Sequence, residues 1–168
     1  MKKLIIAISL IALFLSCTEN SGKNSNPGKE VAFSFAFLTD VHMNSNNMDV
    51  SAAGLKQALE HAKSQNIDFV IFGGDLADLD HLQPQDSLRA DSLMSVFKLA
   101  VTGSGVKAYL TIGNHDRYYT FNNEPDVSGS KFFEKYFGDT YYSFDHKGVH
   151  FVILNSVQIN DSTGKYCV

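Results

Sequence analysis

Three short polar motifs carry the chemistry that this chain could perform. Residues 38–42 (LTDVH) pair Asp40 with His42, residues 73–78 (GGDLAD) hold Asp75 and Asp78, and residues 113–116 (GNHD) hold Asn114, His115 and Asp116. On an extended segment, side chains two apart point the same way, so Asp40 and His42 can ligate one ion. Asp75 has two carboxylate oxygens and can bridge two ions about 3.5–4 Å apart. Asn114 offers a neutral carbonyl oxygen. Mixed oxygen and imidazole donors suit Mn, Fe, Zn or Ni, and the absence of thiolate from the motifs argues against a structural zinc site. Gly73, Gly74 and Gly113 fit backbone positions of sharp turning or close approach. Taken singly, each motif has a plainer reading. A strand-end Asp commonly caps a loop or helix, and Gly-Asn commonly makes a turn.

The surrounding pattern gives the motifs a common location. Residues 32–39 (AFSFAFLT), 67–72 (IDFVIF) and 106–112 (VKAYLTI) are apolar runs that predict buried strands. Residues 50–65 repeat apolar side chains at helical spacing. Residues 84–101 open on Pro84 and place Leu88, Leu93, Phe97 and Ala100 on one expected buried face. A strand-helix-strand-helix-strand order implies parallel pairing through right-handed crossovers. Residues 128–136 predict a shorter helix. Residues 141–144 and 150–154 flank Asp145-His146-Lys147-Gly148 and predict an antiparallel hairpin. The fold class is therefore α/β, a parallel βαβαβ unit followed by a β-hairpin. Each motif directly follows one of the three strands, and ligands of open α/β sheets bind at the carboxyl ends of the strands. All three motifs should line one rim.

Asp-x-His, Gly-Asp-x-x-Asp and Gly-Asn-His-Asp, in this order on successive strands, resemble the calcineurin-like metallophosphoesterase superfamily. The resemblance covers roughly residues 35–156, and residues 142–155 (YSFDHKGVHFVILN) look like the family's next hairpin, with Asn155 where Asp is common. It implies the family's α/β-sandwich, Asp40 and His42 on a first metal ion, Asp75 bridging, and Asn114 on a second. His115 would stand near the leaving group, so Asn114 and His115 also face the substrate. The implied reaction is attack of a metal-bound hydroxide on the phosphorus of a phosphate mono- or diester. His115 would act as general acid, with Asp116 orienting its imidazole. Asp78 is expected to hydrogen-bond behind the site.

The remaining histidines read differently. His61 is expected on a helix surface, His81 in the loop after Asp78, His146 in the hairpin turn and His150 on a strand. The family also uses later histidines, ending in a Gly-His-x-His pair, whereas the last histidine here is His150. On that comparison the chain is expected to be the N-terminal half of the sandwich, inactive or nearly so by itself. Residues 158–168 read as a loop, and Phe33, Phe35, Phe151 and Ile153 are expected to be left exposed. The alternative reading is a non-enzymatic lipoprotein or pseudo-enzyme with weak metal binding at most.

The chain has 168 residues, enough for one domain, with 44% hydrophobic and 19% charged residues and no Trp, which excludes a wholly disordered chain. Residues 1–16 combine Lys2 and Lys3 with an apolar run from Leu4 to Leu15, too short to span a bilayer but suited to an export signal. Phe14-Leu15-Ser16-Cys17 resembles a lipobox, which makes Cys17 the expected lipidation site of an exported, membrane-anchored bacterial lipoprotein. An acylated Cys17 would leave Cys167 as the only free thiol, so no internal disulfide is expected. Residues 17–30 read as a flexible tether and residues 31–168 as the globular part. Without Lys2 and Lys3, 12 basic groups face 18 acidic ones. That balance argues against general nucleic-acid binding and does not exclude an enzyme that holds a small phosphate ester on bound metal ions.

Overall fold

The computed structural model describes residues 32–160 and 165–167, so the export signal, Cys17 and the tether expected over residues 1–30 lie outside the described residues. β1 (Phe35–Leu38), β2 (Phe69–Phe72) and β3 (Ala108–Leu110) form a parallel sheet in that spatial order. Each strand is shorter than the apolar run that predicts it. Their pairing is nevertheless carried onward by the loops, since Gly73 N–H donates to Leu38 O at 2.8 Å and Met43 bridges Ala77 in parallel.

α1 (Met48–Ser64) leads from β1 to β2 and buries Leu55, Leu59 and Ala62, a stripe at i, i+4 and i+7. α2 (Ser87–Ser104) leads from β2 to β3. A single 3-10 turn (Pro84–Asp86) precedes α2, where Gln83 and Asp86 exchange side-chain and backbone hydrogen bonds. Gly105, at φ 69°, ends α2 in the left-handed conformation that glycine adopts without a Cβ clash. The buried face of α2 is Ala90, Leu93, Met94, Phe97 and Val101. Leu88, expected in that face, is 80% exposed. It precedes Phe97 by nine residues, which at 3.6 residues per turn places it half a turn round the helix.

β2 separates two apolar layers. Val70 and Phe72 pack toward the helices, joined by Leu59, Met94, Phe97 and, from α3 (Lys131–Phe137), Phe132 and Phe133. Phe69 and Ile71 alternate to the other face. Between β3 and α3 lies a small hairpin, β4 (Thr120–Phe121) with β5 (Glu124–Pro125). After α3, β6 (Tyr142–His146) pairs antiparallel with β7 (Val149–Ile153) through a two-residue turn. Lys147 and Gly148 take φ 44° and 81° there, both positive as such tight hairpins require. The turn is therefore shorter than the expected four residues. His146 closes β6 instead of turning, and its Nε2 lies 3.1 Å from Asp68 Oδ1.

This hairpin covers part of the second face of the sheet. Phe144, Phe151 and Ile153 pack over Phe69, which is fully buried, and Ile153 is buried rather than exposed as expected. Phe33 and Phe151 are half-buried, whereas Phe35 and Phe37 remain 42% and 61% exposed. Tyr142 hydroxyl accepts from Leu110 N–H at 2.8 Å and donates to Leu110 O at 3.0 Å, satisfying the outer edge of β3. β8 (Gln158–Asn160) and β9 (Lys165–Cys167) pair antiparallel where a loop is expected. Ile159 and Tyr166, two strand-favouring residues, are directly opposed there. Among the described residues, no helix is long and apolar enough to cross a membrane.

Candidate metal centre

The three motifs meet at the carboxyl ends of the strands because the loops that carry them are stitched together by backbone. Asp40 N–H donates to Gly74 O at 3.2 Å, and His42 N–H donates to Asp75 O at 3.0 Å. Leu79 N–H donates to His115 O at 2.7 Å, joining the second loop to the third. The approach is close enough that glycine is needed. A Cβ on Gly113 would collide with Asp75 Oδ1 and the Asp75 nitrogen, and one on Gly74 would stand 2.7 Å from Gly113 N.

Asp40, His42 and Asp75 all adopt left-handed backbone, at φ 57°, 46° and 53°. Non-glycine residues pay about 1–2 kcal/mol each for that conformation, and such strain gathers where side chains must be aimed. The segment from Asp40 to His42 is therefore not extended as expected, and of these three residues His42 and Asp75 belong to the ligand cluster. Ligand atoms of His42, Asp75 and His115 lie within 4.8 Å of one another. Asp75 Oδ1 accepts the His115 N–H at 3.1 Å, leaving Oδ2 turned toward His42 Nε2 at 4.0 Å. Asp40 stands at the rim, 62% exposed, with its Oδ1 3.6 Å from His42 Nε2. Asn114 is half-buried on the third loop, and its side chain makes no hydrogen bond among the described residues.

Both imidazoles are held from behind by carboxylates. His42 Nδ1 lies 2.6 Å from Asp78 Oδ1, and Asp78 Oδ2 accepts from the Asn44 amide at 3.1 Å. The Asp78 hydrogen bond raises the His42 pKa above its ordinary 6.5, burial opposes, and the charges of Asp78, Asp75 and Asp40 add to the rise. His115 Nδ1 lies 3.0 Å from Asp80 Oδ1. Asp116, expected to orient the His115 ring, does something else. Its fully buried carboxylate accepts from Leu76 N–H at 2.7 Å, Ala77 N–H at 3.0 Å and Gly113 N–H at 2.8 Å. Burial outweighs these three donors and pushes its pKa up to about 6. Asp116 is thus a clamp between the second and third loops, and Asp80 takes the place beside His115. Asp80 follows Asp78 in sequence by two, a spacing that marks it as a candidate only once the loop path is known.

The donor set fits a divalent cation. A carboxylate engages Nδ1 of each ring, the arrangement usual for metal-binding histidines, and His42 turns its Nε2 toward Asp75. Three ligands with an open position suffice for one catalytic ion.

Other residues have no part in the cluster. His61 and His150 are exposed, and His150 Nδ1 pairs with Asp145 Oδ1 at 2.7 Å. His81 is 63% exposed, with its Nδ1 3.4 Å from Asp80 Oδ1. Arg117, not anticipated from sequence, is buried just beyond the third motif. It donates to Ser128 O, to Asn155 Oδ1 at 2.9 Å and to Val157 O at 3.0 Å, tying this loop to the end of β7.

No curated protein matches the chain closely enough in sequence to be counted. Among solved structures, a dimetal phosphatase from Danio rerio is similar at 18% identity and a TM-score of 0.45, over 52% of this chain and 31% of that protein. The chain thus spans less than a third of that structure's length, and nothing further rests on the likeness. A model of the calcineurin-like phosphoesterase family matches residues 33–166, and the chain belongs to that family.

Proposed function

We propose that this chain is part of a metal-dependent phosphoesterase that hydrolyses a phosphate mono- or diester. The convergence of His42, Asp75 and His115 ligand atoms within 4.8 Å, on loops from three successive strands, carries the reading. These three would hold the first ion, with Asp40 reaching it from the rim beside His42, and Asn114 would join Asp75 around a second, weaker one. When bound, divalent cations supply Lewis acidity toward phosphoryl oxygens and lower the pKa of water. Asp78 and Asp80 keep the two rings aimed. With Nδ1 engaged by Asp80 and its other nitrogen on the ion, His115 would have no proton to give the departing alkoxide, so the general-acid role expected from the sequence is not assigned to it. Asn114, whose side chain makes no hydrogen bond among the described residues, can donate its amide to a phosphoryl oxygen.

Two measurements on the chain test this. Mn²⁺ uptake comes first, since the cluster supplies few donors and turnover by these 168 residues is expected to be low. Hydrolysis of a generic aryl phosphate monoester and diester with added Mn²⁺ comes second, and Asp75→Asn should remove whatever Mn²⁺-dependent rate is present. A chain that neither takes up Mn²⁺ nor shows a rate sensitive to Asp75 would favour the non-enzymatic alternative.

The N-terminal motif supports a second proposal. Cys17 is acylated and becomes the new N-terminus, and the domain acts on an exported face of a bacterial membrane, at the end of a polar tether of residues 18–30.

A further inference from the structure

Tyr118 belongs to the buried core, with its ring 5.1 Å from that of Phe132. A phenyl ring would fill the same space, so packing alone does not call for the hydroxyl. That hydroxyl reaches out to the second loop, where its proton is shared between Pro84 O at 2.8 Å and Gln83 O at 3.0 Å. A buried Tyr hydroxyl needs a hydrogen-bond partner. Here the partner is the segment that follows Asp80.

The place of this contact matters for His115, because it is one of two clamps between the second and third loops. In the first, Asp116 accepts from Leu76 and Ala77 N–H. In the second, Tyr118 grips Gln83 and Pro84. Between the clamps, His115 O accepts Leu79 N–H at 2.7 Å and Asp80 N–H at 3.2 Å. Asp80 Oδ1 meets His115 Nδ1 there at 3.0 Å.

The stretch from Leu79 to Asp86 is itself stiffened by backbone bonds. Leu82 N–H donates to Leu79 O at 3.0 Å, and Asp86 N–H donates to Gln83 O at 2.8 Å. A hold on Gln83 and Pro84 is therefore passed to Asp80 through bonded turns and not through slack chain. Asp80 also has a competing partner. The exposed ring of His81 brings its Nδ1 to 3.4 Å from the same Oδ1, so a small drift of the turn decides which imidazole the carboxylate serves.

We propose that Tyr118 is a positioning residue of the metal centre, whose hydroxyl fixes the turn after Asp80 so that the Asp80 carboxylate stays on His115 Nδ1. The assignment rests on the metal-centre reading above and deepens it.

The test uses Tyr118→Phe, which keeps the ring and leaves Gln83 O its bond from Asp86 N–H. Mn²⁺ affinity is expected to fall about three- to tenfold, the range that one hydrogen bond commands. Asp80→Asn is expected to lower it about 10–100-fold. Adding Tyr118→Phe to the Asp80→Asn chain should change the affinity by less than about twofold, because the hydroxyl then has no carboxylate to place. An equal loss in both backgrounds, or no loss in either, overturns the proposal. A second readout needs no ion. In the metal-free chain, the NMR shift of the His115 Nδ1 nitrogen should move with Tyr118→Phe in the direction that Asp80→Asn moves it. The ring of His42, held by Asp78, is the internal reference. An unmoved His115 shift sinks the proposal even where affinity falls. If the unaltered chain takes up no Mn²⁺, the metal-centre reading fails, and the nitrogen shift alone decides the role of Tyr118.

Discussion

His42 and Asp78 face each other across two loops with 2.6 Å between Nδ1 and Oδ1, so the ring that approaches the centre is fixed by a residue that does not enter it. The contact decides which nitrogen is free. With Nδ1 engaged, Nε2 points toward Asp40 and Asp75. Asp78→Asn keeps the shape and removes the charge. Mn²⁺ affinity is expected to fall about 10–100-fold, the usual consequence of losing a carboxylate behind a metal-binding histidine. Calorimetry checks it, with far-UV circular dichroism unchanged as the control for folding.

Phe69 is the hub of the second apolar layer. It is fully buried and meets the rings of Phe33, Phe35, Tyr109, Phe144, His146 and Phe151. Phe69→Ala should cost about 3–5 kcal/mol, from lost transfer energy and the cavity left behind. Denaturant unfolding should show the loss. A cost below about 1 kcal/mol would mean that the β6–β7 hairpin is not seated on the sheet.

Asp68 links the tip of that hairpin to the start of β2. The hydrogen bond from Lys147 holds its pKa down to about 2, with the Ser34 N–H and His146 adding to the effect. A carboxyl with a depressed folded pKa contributes stability that is complete above its ordinary value near 3.8 and lost as pH falls through about 2. Acid unfolding should therefore steepen between about pH 4 and pH 2. Asp68→Asn should flatten that part of the curve, as read by fluorescence or circular dichroism against pH.

Cys17 tests the anchoring proposal separately from the chemistry. Several buried acyl chains hold a protein on a bilayer, whereas an unacylated polar tether does not. In bacterial cells the chain should fractionate with membranes, and Cys17→Ser should move the released domain to the soluble fraction. Equal membrane association of both forms would rule out acylation as the anchor.

Much of this was readable from residue pattern. The three apolar runs gave the strands, and the motifs at their ends gave the rim, because both depend on local periodicity and chain order. Leu88 is apolar yet lies half a turn from Phe97 around α2, so residue type alone does not reveal its exposure. Asp80 holds the place expected of Asp116 for a reason outside local sequence. Asp116 follows His115 directly, yet its carboxylate turns inward to three backbone N–H groups, while Asp80 arrives from another strand's loop. Arg117 was missed because a charged side chain near a turn reads as surface. Its burial depends on Ser128, Asn155 and Val157, which are distant in sequence. The pairing of β8 with β9 was likewise hidden in a short polar stretch.

The central claim is that His42, Asp75 and His115 form a metal centre, and the most direct test is Mn²⁺ binding followed by the electron paramagnetic resonance of free Mn²⁺. The chain should take up one ion in a first, tighter phase, and Asp75→Asn should weaken that phase by at least about tenfold. Uptake by the Asp75→Asn chain equal to that of the unaltered chain, or no uptake by either, would contradict the account.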